Sequence, residues 1–335
     1  MTFNEFMPEF FAYKKLRVKP STVAAYMHQW KDLKDEFGDI EIASISTKTV
    51  EKWAISKLSS LSRKTIEDYI VLLNNIIDFY GYEYEVPICK ISRRHIHWPS
   101  VNIQHGEFES VKTYTPHEIS LMLEGVVKNP TPANILISMM IASGMRIGEA
   151  CALTYEDVNM ESGVVEIKRT LGRICIGEAY SNEELTGMNI EIVSRSKNSA
   201  VVLSPPKCKA SYRAVPIPRE LLKILKNLKA VYPPTYYIGS NRLKPTEPRT
   251  LRQSYYKLLK EVGVDRQLTP HCLRHTYATS LITAGVDVTT TAALLGHGDA
   301  ATTLGIYAHA TRESKKKAMT STIGKRFKSA LTKSK

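Results

Sequence analysis

Residues 269–309 read TPHCLRHTYATSLITAGVDVTTTAALLGHGDAATTLGIYAH, and fold and chemistry both turn on this stretch. Apolar side chains at three- and four-residue intervals predict a helix over 270–284, with Thr269 as its N-cap and Ala284-Gly285 as its stop. Shorter helices are expected over 288–295 and about 300–308. His271 and Arg274 are three apart and share a face of the first turn. There the helix N-terminus adds partial positive charge and free N–H groups, so the pair suits a phosphate. His271 and His275, four apart, also share a face and offer two metal ligands. Against that, no H-E-x-x-H carboxylate is present, and Arg274 between the imidazoles opposes a cation. His297 lies between Gly296 and Gly298, an arrangement that serves backbone shape or a contact. Tyr307 by itself is a ring that packs in a core.

Two segments upstream carry further polar residues. In Ala142–Glu149 (ASGMRIGE) an arginine follows Gly144 directly after a very apolar helix. Arg146 is either a guanidinium aimed from a rigid platform or a surface cation paired with Glu149 three residues on. Residues 206–213 (PKCKASYR) form a lysine-rich turn, of a kind that is commonly only solvated. Around these motifs, helices are expected over 3–16, 20–36, 47–58 and 62–80, the last ended by Gly81. They make a small bundle. Thr115-Pro116-His117-Glu118 opens a further helix with a capping box, and helices follow at 132–143, from 147, at 219–230 and at 249–262. Val- and Ile-rich runs at 163–170, 190–194, 199–203 and 212–217 read as strands of a small antiparallel sheet. The fold class is mainly α with a minor sheet, α+β. The expected domains are a helical domain over 1–92, a basic linker over 93–112, a second domain over 113–310 and a basic tail over 311–335.

Composition bounds the partner. The chain has 335 residues, 46 Lys+Arg against 33 Asp+Glu, and a formal charge of +13. Residues 1–110 hold 14 basic and 15 acidic side chains, and residues 111–335 hold 32 and 18. The excess thus belongs to the second part, and Arg312–Lys335, with nine bases and one acid, carries +8 of it. An excess of that size suits a polyanion. The five scattered cysteines form no C-x-x-C pair, which points to a reducing compartment and away from a thiolate zinc site. MTFNEFMPEF lacks the basic start of a secretory signal, and no apolar run reaches the roughly 20 residues that span a bilayer. A cytoplasmic protein with no membrane partner is expected.

Taken together, Arg146, the lysine turn, His271-x-x-Arg274, Leu295-Gly296-His297 and Tyr307 resemble the tyrosine recombinase family, the phage-integrase type of site-specific DNA recombinase. The resemblance covers residues 115–310, and the SAM-like helical bundle of that family corresponds to residues 1–90. It implies that Arg146 and Arg274 grip the non-bridging oxygens of the scissile phosphate and that His271 takes the proton of Tyr307. Tyr307 is then the nucleophile, leaving a 3′-phosphotyrosyl link and a 5′-hydroxyl. Lys207, or Lys209 in the other register, protonates that leaving oxygen; His297 bonds a non-bridging oxygen and Glu149 supports Arg146. No metal and no cofactor are implied, because the phosphotyrosine conserves the ester. Double-stranded DNA attachment sites are the implied partner, with Arg93, Arg94, Lys209 and Arg213 as further DNA contacts. The resemblance also implies a homotetramer on DNA, joined by exchange of residues 311–328, and a directionality factor. Integration or excision of a mobile element or phage is the expected use. The alternatives are relaxation of DNA as by a type IB topoisomerase, and a DNA-binding relative without chemistry. The stretch 171–200 is longer than a minimal hairpin needs and is expected to be an insertion.

Overall fold

Thr2 and Glu5 open the first helix by a reciprocal cap. The Thr2 hydroxyl accepts the Glu5 N–H at 3.3 Å and Glu5 Oε2 accepts the Thr2 N–H at 2.8 Å, meeting donors that a helix start otherwise leaves free. The computed structural model describes residues 1–99, 112–175, 180–206 and 208–298. The chain divides into two compact units. One comprises Met1–Gly106, Ile174–Leu185 and Ser196–Ala200, and the other Glu107–Arg173, Thr186–Arg195 and Val201–Lys335.

In the first unit, helices α1 (Phe3–Lys15), α2 (Pro20–Phe37), α3 (Thr47–Lys57) and α4 (Arg63–Glu83) bury a shared apolar face. Phe3, Phe6 and Phe10 of α1 meet Leu33 and Phe37 of α2, Trp53 of α3 and Ile70 and Ile77 of α4 in that core. Ser46 and Ser62 cap α3 and α4 by accepting the N–H groups of Thr49 and Thr65, which is why each helix begins where it does. Gly81 does not end α4. The helix continues to Glu83, and the Val86 N–H reaches back to the Gly81 carbonyl at 3.2 Å around Glu85, which takes φ +52°. Glu85, not the glycine, adopts the left-handed turn that closes the helix.

The start of the expected linker is also bound to this unit. Ile91 and Ile96 are buried in its core, and the Asn74 side chain exchanges two hydrogen bonds with the Ile91 backbone, at 2.8 and 3.0 Å. His97 donates its N–H to Glu51 at 2.7 Å. Two isoleucines five apart are too few to register as periodicity, so this docking was invisible in the sequence. Arg93 and Arg94 lie on a short 3₁₀ turn and are exposed.

The chain continues through α5 (Pro116–Lys128), α6 (Pro132–Ser143), α7 (Ile147–Cys151), β1 (Val158–Asn159), β2 (Val164–Ile167), β3 (Thr170–Ile174), α8 (Asn182–Gly187), β4 (Glu191–Ser196), β5 (Ser199–Ser204) and β6 (Arg213–Pro216). It closes, among the described residues, with α9 (Arg219–Val231), α10 (Pro248–Glu261), α11 (His271–Thr283) and α12 (Val288–Leu295). Helix α6 is apolar on all sides, with Ile135, Leu136, Ile137, Met139 and Met140 buried. A helix of that kind must be surrounded, and α5, α7, α10 and α11 pack against it.

The strands form two sheets where one was expected. The first has the order β1-β2-β6 and is antiparallel, with Val165 opposite both Val158 and Val215. The second has the order β3-β5-β4. Strands β5 and β6, on either side of the lysine-rich turn, therefore lie in different sheets. That turn is a crossing between sheets and not a hairpin between neighbours. Pro205 and Pro206 bring no N–H to a ladder and stop β5 there, and the alternation in each strand gave its faces but not its partners. The expected insertion holds most of β3, all of α8 and β4, and the first two residues of β5.

Thr269 does not cap α11. Pro270 holds the cap position with helical φ −55° and ψ −23°, no side chain caps the helix, and the Thr269 carbonyl accepts the Cys272 N–H at 2.8 Å. Proline's fixed φ already suits the helix, so the residue before it lies outside. The stop at Gly285 holds, with φ +93° and a Val286 N–H bond to the Leu281 carbonyl at 3.0 Å. Lys207, Tyr307, the expected helix at 300–308 and the tail 311–335 lie outside the described residues.

At α5 the predicted capping box is present: Thr115 accepts the Glu118 N–H at 3.2 Å and Glu118 accepts the Thr115 N–H at 2.7 Å. Arg266 also pairs with Glu118 and hydrogen-bonds the Thr113 carbonyl at 3.0 Å. Thr115→Ala is expected to cost about 1 kcal/mol of unfolding free energy. Chemical denaturation of both chains checks it, and an unchanged midpoint would refute the cap's role.

Candidate active site

Gly144 ends α6 with φ +62°, a backbone that L side chains rarely adopt. A Cβ there would stand 2.5 Å from the Tyr277 ring and 2.9 Å from Leu295 Cδ2. The chain thus turns hard against α11 and α12, and Met145 is buried while Arg146 comes out of the turn at the head of α7. The Arg146 N–H donates to Glu149 Oε2 at 2.8 Å and its Nη1 to Glu149 Oε1 at 2.7 Å. The salt bridge foreseen for a surface arginine is present, but the acid is inside: the Glu149 side chain is 3% exposed and that of Arg146 39%. Burial pushes the Glu149 carboxyl up, yet the hydrogen bonds and charge of Arg213, then those of Arg146, outweigh it and hold the group below its ordinary range.

Arg274 ties three segments together. It is 2% exposed, and its Nη1 donates to the Gly144 carbonyl at 2.9 Å while Nη2 donates to the Leu295 carbonyl at 2.6 Å. The first carbonyl lies two residues before Arg146 and the second two residues before His297. One planar fork from α11 therefore fixes both turns. Burial and the charge of Arg146 press its pKa down to about 9, so the guanidinium remains charged at neutral pH.

Gly296 ends α12 with φ +68°, and the His297 N–H closes the turn on the Ala292 carbonyl at 3.1 Å. A Cβ on Gly296 would meet the Ala210 carbonyl at 2.8 Å and Arg213 at 3.0 Å, and one on Gly298 would meet Cys208 Sγ at 3.6 Å. Gly296 thus admits the segment that follows Lys207 in the chain, while a side chain at 298 would make only ordinary contact with it. Lys209 opens a 3₁₀ turn there and is exposed. The Cys208 thiol, 3.2 Å from the Ser211 hydroxyl, has its pKa lowered by hydrogen bonds from Ser211 and also by the charge of Arg146.

Three imidazoles stand near these cations. Burial lowers the pKa of His271, and Arg274 and Arg146 lower it further; burial, then His271 and Arg274, do the same to His275. Burial, Arg274, Arg146, Arg213 and His271 bring His297 down to about 4. All three are therefore neutral at pH 7. A neutral imidazole can take a proton or donate one N–H, and it adds no charge to an already cationic site. The rings of His271 and His275 meet edge to face at 4.7 Å. Among the described residues no group of three or more His, Cys, Asp and Glu is placed to hold a metal ion.

Arg213 differs from its expected place among DNA contacts. Its side chain is 5% exposed, with Nη2 donating to Glu149 Oε2 at 2.9 Å, Nε to the Leu294 carbonyl at 2.8 Å and Nη1 to the Ser211 carbonyl at 3.1 Å. A signal for this was present, since Arg213 is in phase with buried Val215 on β6 and alternate strand residues share a face. His275, whose buried Nδ1 has no hydrogen-bond partner among the described residues, was likewise read only as a metal candidate.

The imidazole shifts have a definite sign. The unfolded chain takes up protons near pH 6.5 while the folded site resists them, so stability is complete above that pH and is lost as pH falls towards 4. In proton-detected titration of the DNA-free protein, His297 is expected to titrate near pH 4 and His271 and His275 below 6.5. A midpoint at or above 6.5 for any of them would contradict the buried cationic site.

Comparison with known proteins gives the family and the fold. The model of the phage integrase family matches residues 112–314, and that of the phage integrase N-terminal SAM-like domain matches residues 2–59. "Tyrosine recombinase XerC-like" of Caldanaerobacter subterraneus subsp. tengcongensis is 26% identical over 331 residues, covering 92% of this chain and 79% of its own. "Tyrosine recombinase" of Thermosipho africanus is 26% identical over 285 residues, covering 82% and 84%. Among solved structures, the Tn1549 transposon integrase in complex with transposon right end DNA gives a TM-score of 0.71 at 19% identity, over 95% of this chain and 98% of that one. A lambda integrase dimer bound to a COC′ core site gives 0.62 at 14% identity, over 93% and 97%. These likenesses show the fold, and no described helix is long and apolar enough to cross a membrane. With a family model matched over more than half of its length, the chain belongs to the phage integrase family of tyrosine recombinases.

Proposed function

We propose that this tyrosine recombinase cleaves and rejoins double-stranded DNA at attachment sites of a mobile element or phage, with Tyr307 as nucleophile. The observation that carries the proposal is the double grip of Arg274 on the Gly144 and Leu295 carbonyls, which ties the turns of Arg146 and His297 to the helix of His271. A phosphodiester repels nucleophiles and gathers charge on its non-bridging oxygens in the transition state. The resemblance implies that Arg146 and Arg274 both grip those oxygens; Arg146, half-exposed, is the group that meets them, whereas Arg274, 2% exposed and with Nη1 and Nη2 engaged by the Gly144 and Leu295 carbonyls, reinforces the positive field behind it. His271, neutral at pH 7, accepts the phenol proton as Tyr307 attacks phosphorus, and the bond to the 5′-oxygen breaks. Lys207 gives that oxygen its proton. His297 donates its N–H to a non-bridging oxygen. The ester energy stays in the phosphotyrosine, and a second 5′-hydroxyl reverses the step without a cofactor.

The charge distribution supports the choice of partner, since the basic excess lies in residues 111–335 and phosphate contacts set position on a duplex. The first domain, residues 1–92, and the second, 113–310, hold DNA together; Arg93, Arg94 and Lys209, all exposed, add phosphate contacts. The Tn1549 integrase has been solved with transposon right end DNA and with circular intermediate DNA, and lambda integrase as a tetramer on a Holliday junction. By analogy four copies of this chain act together in the cytoplasm, each passing residues 311–328 to a neighbour.

Tyr307→Phe is expected to bind its site within about threefold of the wild type and to form no covalent adduct. Denaturing gels of the trapped complex check this, and a resistant protein–DNA band from that variant would refute Tyr307 as nucleophile. Strand cleavage is expected to persist in EDTA; loss of cleavage that Mg²⁺ or Zn²⁺ restores would count against an all-protein site.

A further inference from the structure

Glu149 is one buried carboxylate with two guanidinium partners. Arg146 binds it from the half-exposed side through its N–H and Nη1, at 2.8 and 2.7 Å, and Arg213 from the interior through Nη2 and Nη1, at 2.9 and 3.2 Å. With both arginines present the trio carries one net positive charge; without Arg213 it carries none. Arg213 also holds the Leu294 carbonyl at 2.8 Å, three residues before His297. Among the described residues, Arg213 is the buried group that hydrogen-bonds Glu149, while the buried Arg274 acts on it through its charge alone.

We propose that Arg213 is a positioning residue of the reaction, which satisfies Glu149 from the inside so that the charge of Arg146 remains available to the scissile phosphate. The same fork fixes the turn that ends in His297. A lysine in its place is a single point charge and does not span carboxylate and carbonyl as a planar fork does. Arg213 itself is too buried to meet DNA; it acts through Arg146. The proposal rests on Arg146 being the phosphate ligand, as argued above.

The test uses the full chain and a synthetic duplex whose sequence is recovered from DNA trapped covalently on the wild-type protein. The scissile linkage is made either as a phosphodiester or as a methylphosphonate, which lacks one negative charge. Arg213→Met is expected to slow adduct formation about 100-fold on the phosphodiester and at most about threefold on the methylphosphonate. Equal losses on the two linkages would mean a merely structural role and would overturn the proposal. Removing one partner of a buried pair is the change that endangers folding, whereas removing both is commonly tolerated. The double variant Glu149→Gln/Arg213→Met restores the net charge and is therefore expected to form adduct on the phosphodiester at least about tenfold faster than Arg213→Met. A folded double variant that is no faster than the single one, or that is inactive when the single one does not fold, would also overturn it. Arg146→Met separates the two levels. If it too loses equally on both linkages, Arg146 is not the phosphate ligand; if it discriminates between them and Arg213→Met does not, only the role of Arg213 fails.

Discussion

A carboxylate cannot be taken out of water without a partner, and in the larger unit that constraint falls on Glu149. Its side chain is 3% exposed, and an unpaired charge so placed would cost several kcal/mol. The two arginines that satisfy it come from opposite directions, one from the turn after α6 and one from β6. Their placement fixes the start of α7, the entry to β6 and, through the Leu294 carbonyl, the end of α12. The site is thus organised around an acid that has no part in the chemistry proposed for it. Arg274 adds a parallel constraint by holding the adjacent carbonyl, Leu295, from α11. Two buried guanidinium groups on consecutive carbonyls leave the end of α12 little freedom, and the histidine that follows inherits that rigidity.

The arrangement also separates charge from proton transfer. The positive charge is supplied by guanidinium groups, which stay protonated at any physiological pH. The same charges, together with burial, keep His271, His275 and His297 neutral. A histidine that shared the task of holding the phosphate by carrying charge would be unable to act as a base. Placing cations close to imidazoles therefore makes each type better suited to its own work: the arginines attract the anion, and the imidazoles keep a lone pair or a single N–H to offer.

Much of this was legible in the sequence because the residues concerned obey local rules. The capping box at Thr115-Glu118, the stop at Gly285 and the four helices of the first unit follow from periodicity and backbone preference, and the structure places them as expected but for the end of α4, which runs on past Gly81 to Glu83. The motif residues Arg146, His271, Arg274 and His297 were legible as a set by their order along the chain. What was not legible depends on partners distant in sequence. Strand alternation at 199–203 and 212–217 gave inward faces but could not say that β5 and β6 enter different sheets. Residues 91–98 carry no periodic pattern, so nothing local showed Ile91 and Ile96 reaching the core. Arg213 was assigned by its charge when its phase along β6 pointed inward. The lesson from that residue is specific: in a strand, position outranks side-chain type as a guide to which way a group faces.

That lesson changes what the basic excess means. Residues 111–335 hold 32 basic side chains, and a count of this kind treats each as available to DNA. Arg213 and Arg274 are 5% and 2% exposed, and their donors are engaged with Glu149 and with backbone carbonyls. Such groups release no counterions when a duplex binds, because they held none. In the proposed function, the salt dependence of DNA binding comes from exposed cations such as Arg93, Arg94 and Lys209, while the inward arginines set the local potential at one phosphate. Affinity for the duplex and reactivity at the scissile bond are thereby assigned to different sets of cations. A change of salt should act mainly on the first, and a change of a buried arginine mainly on the second.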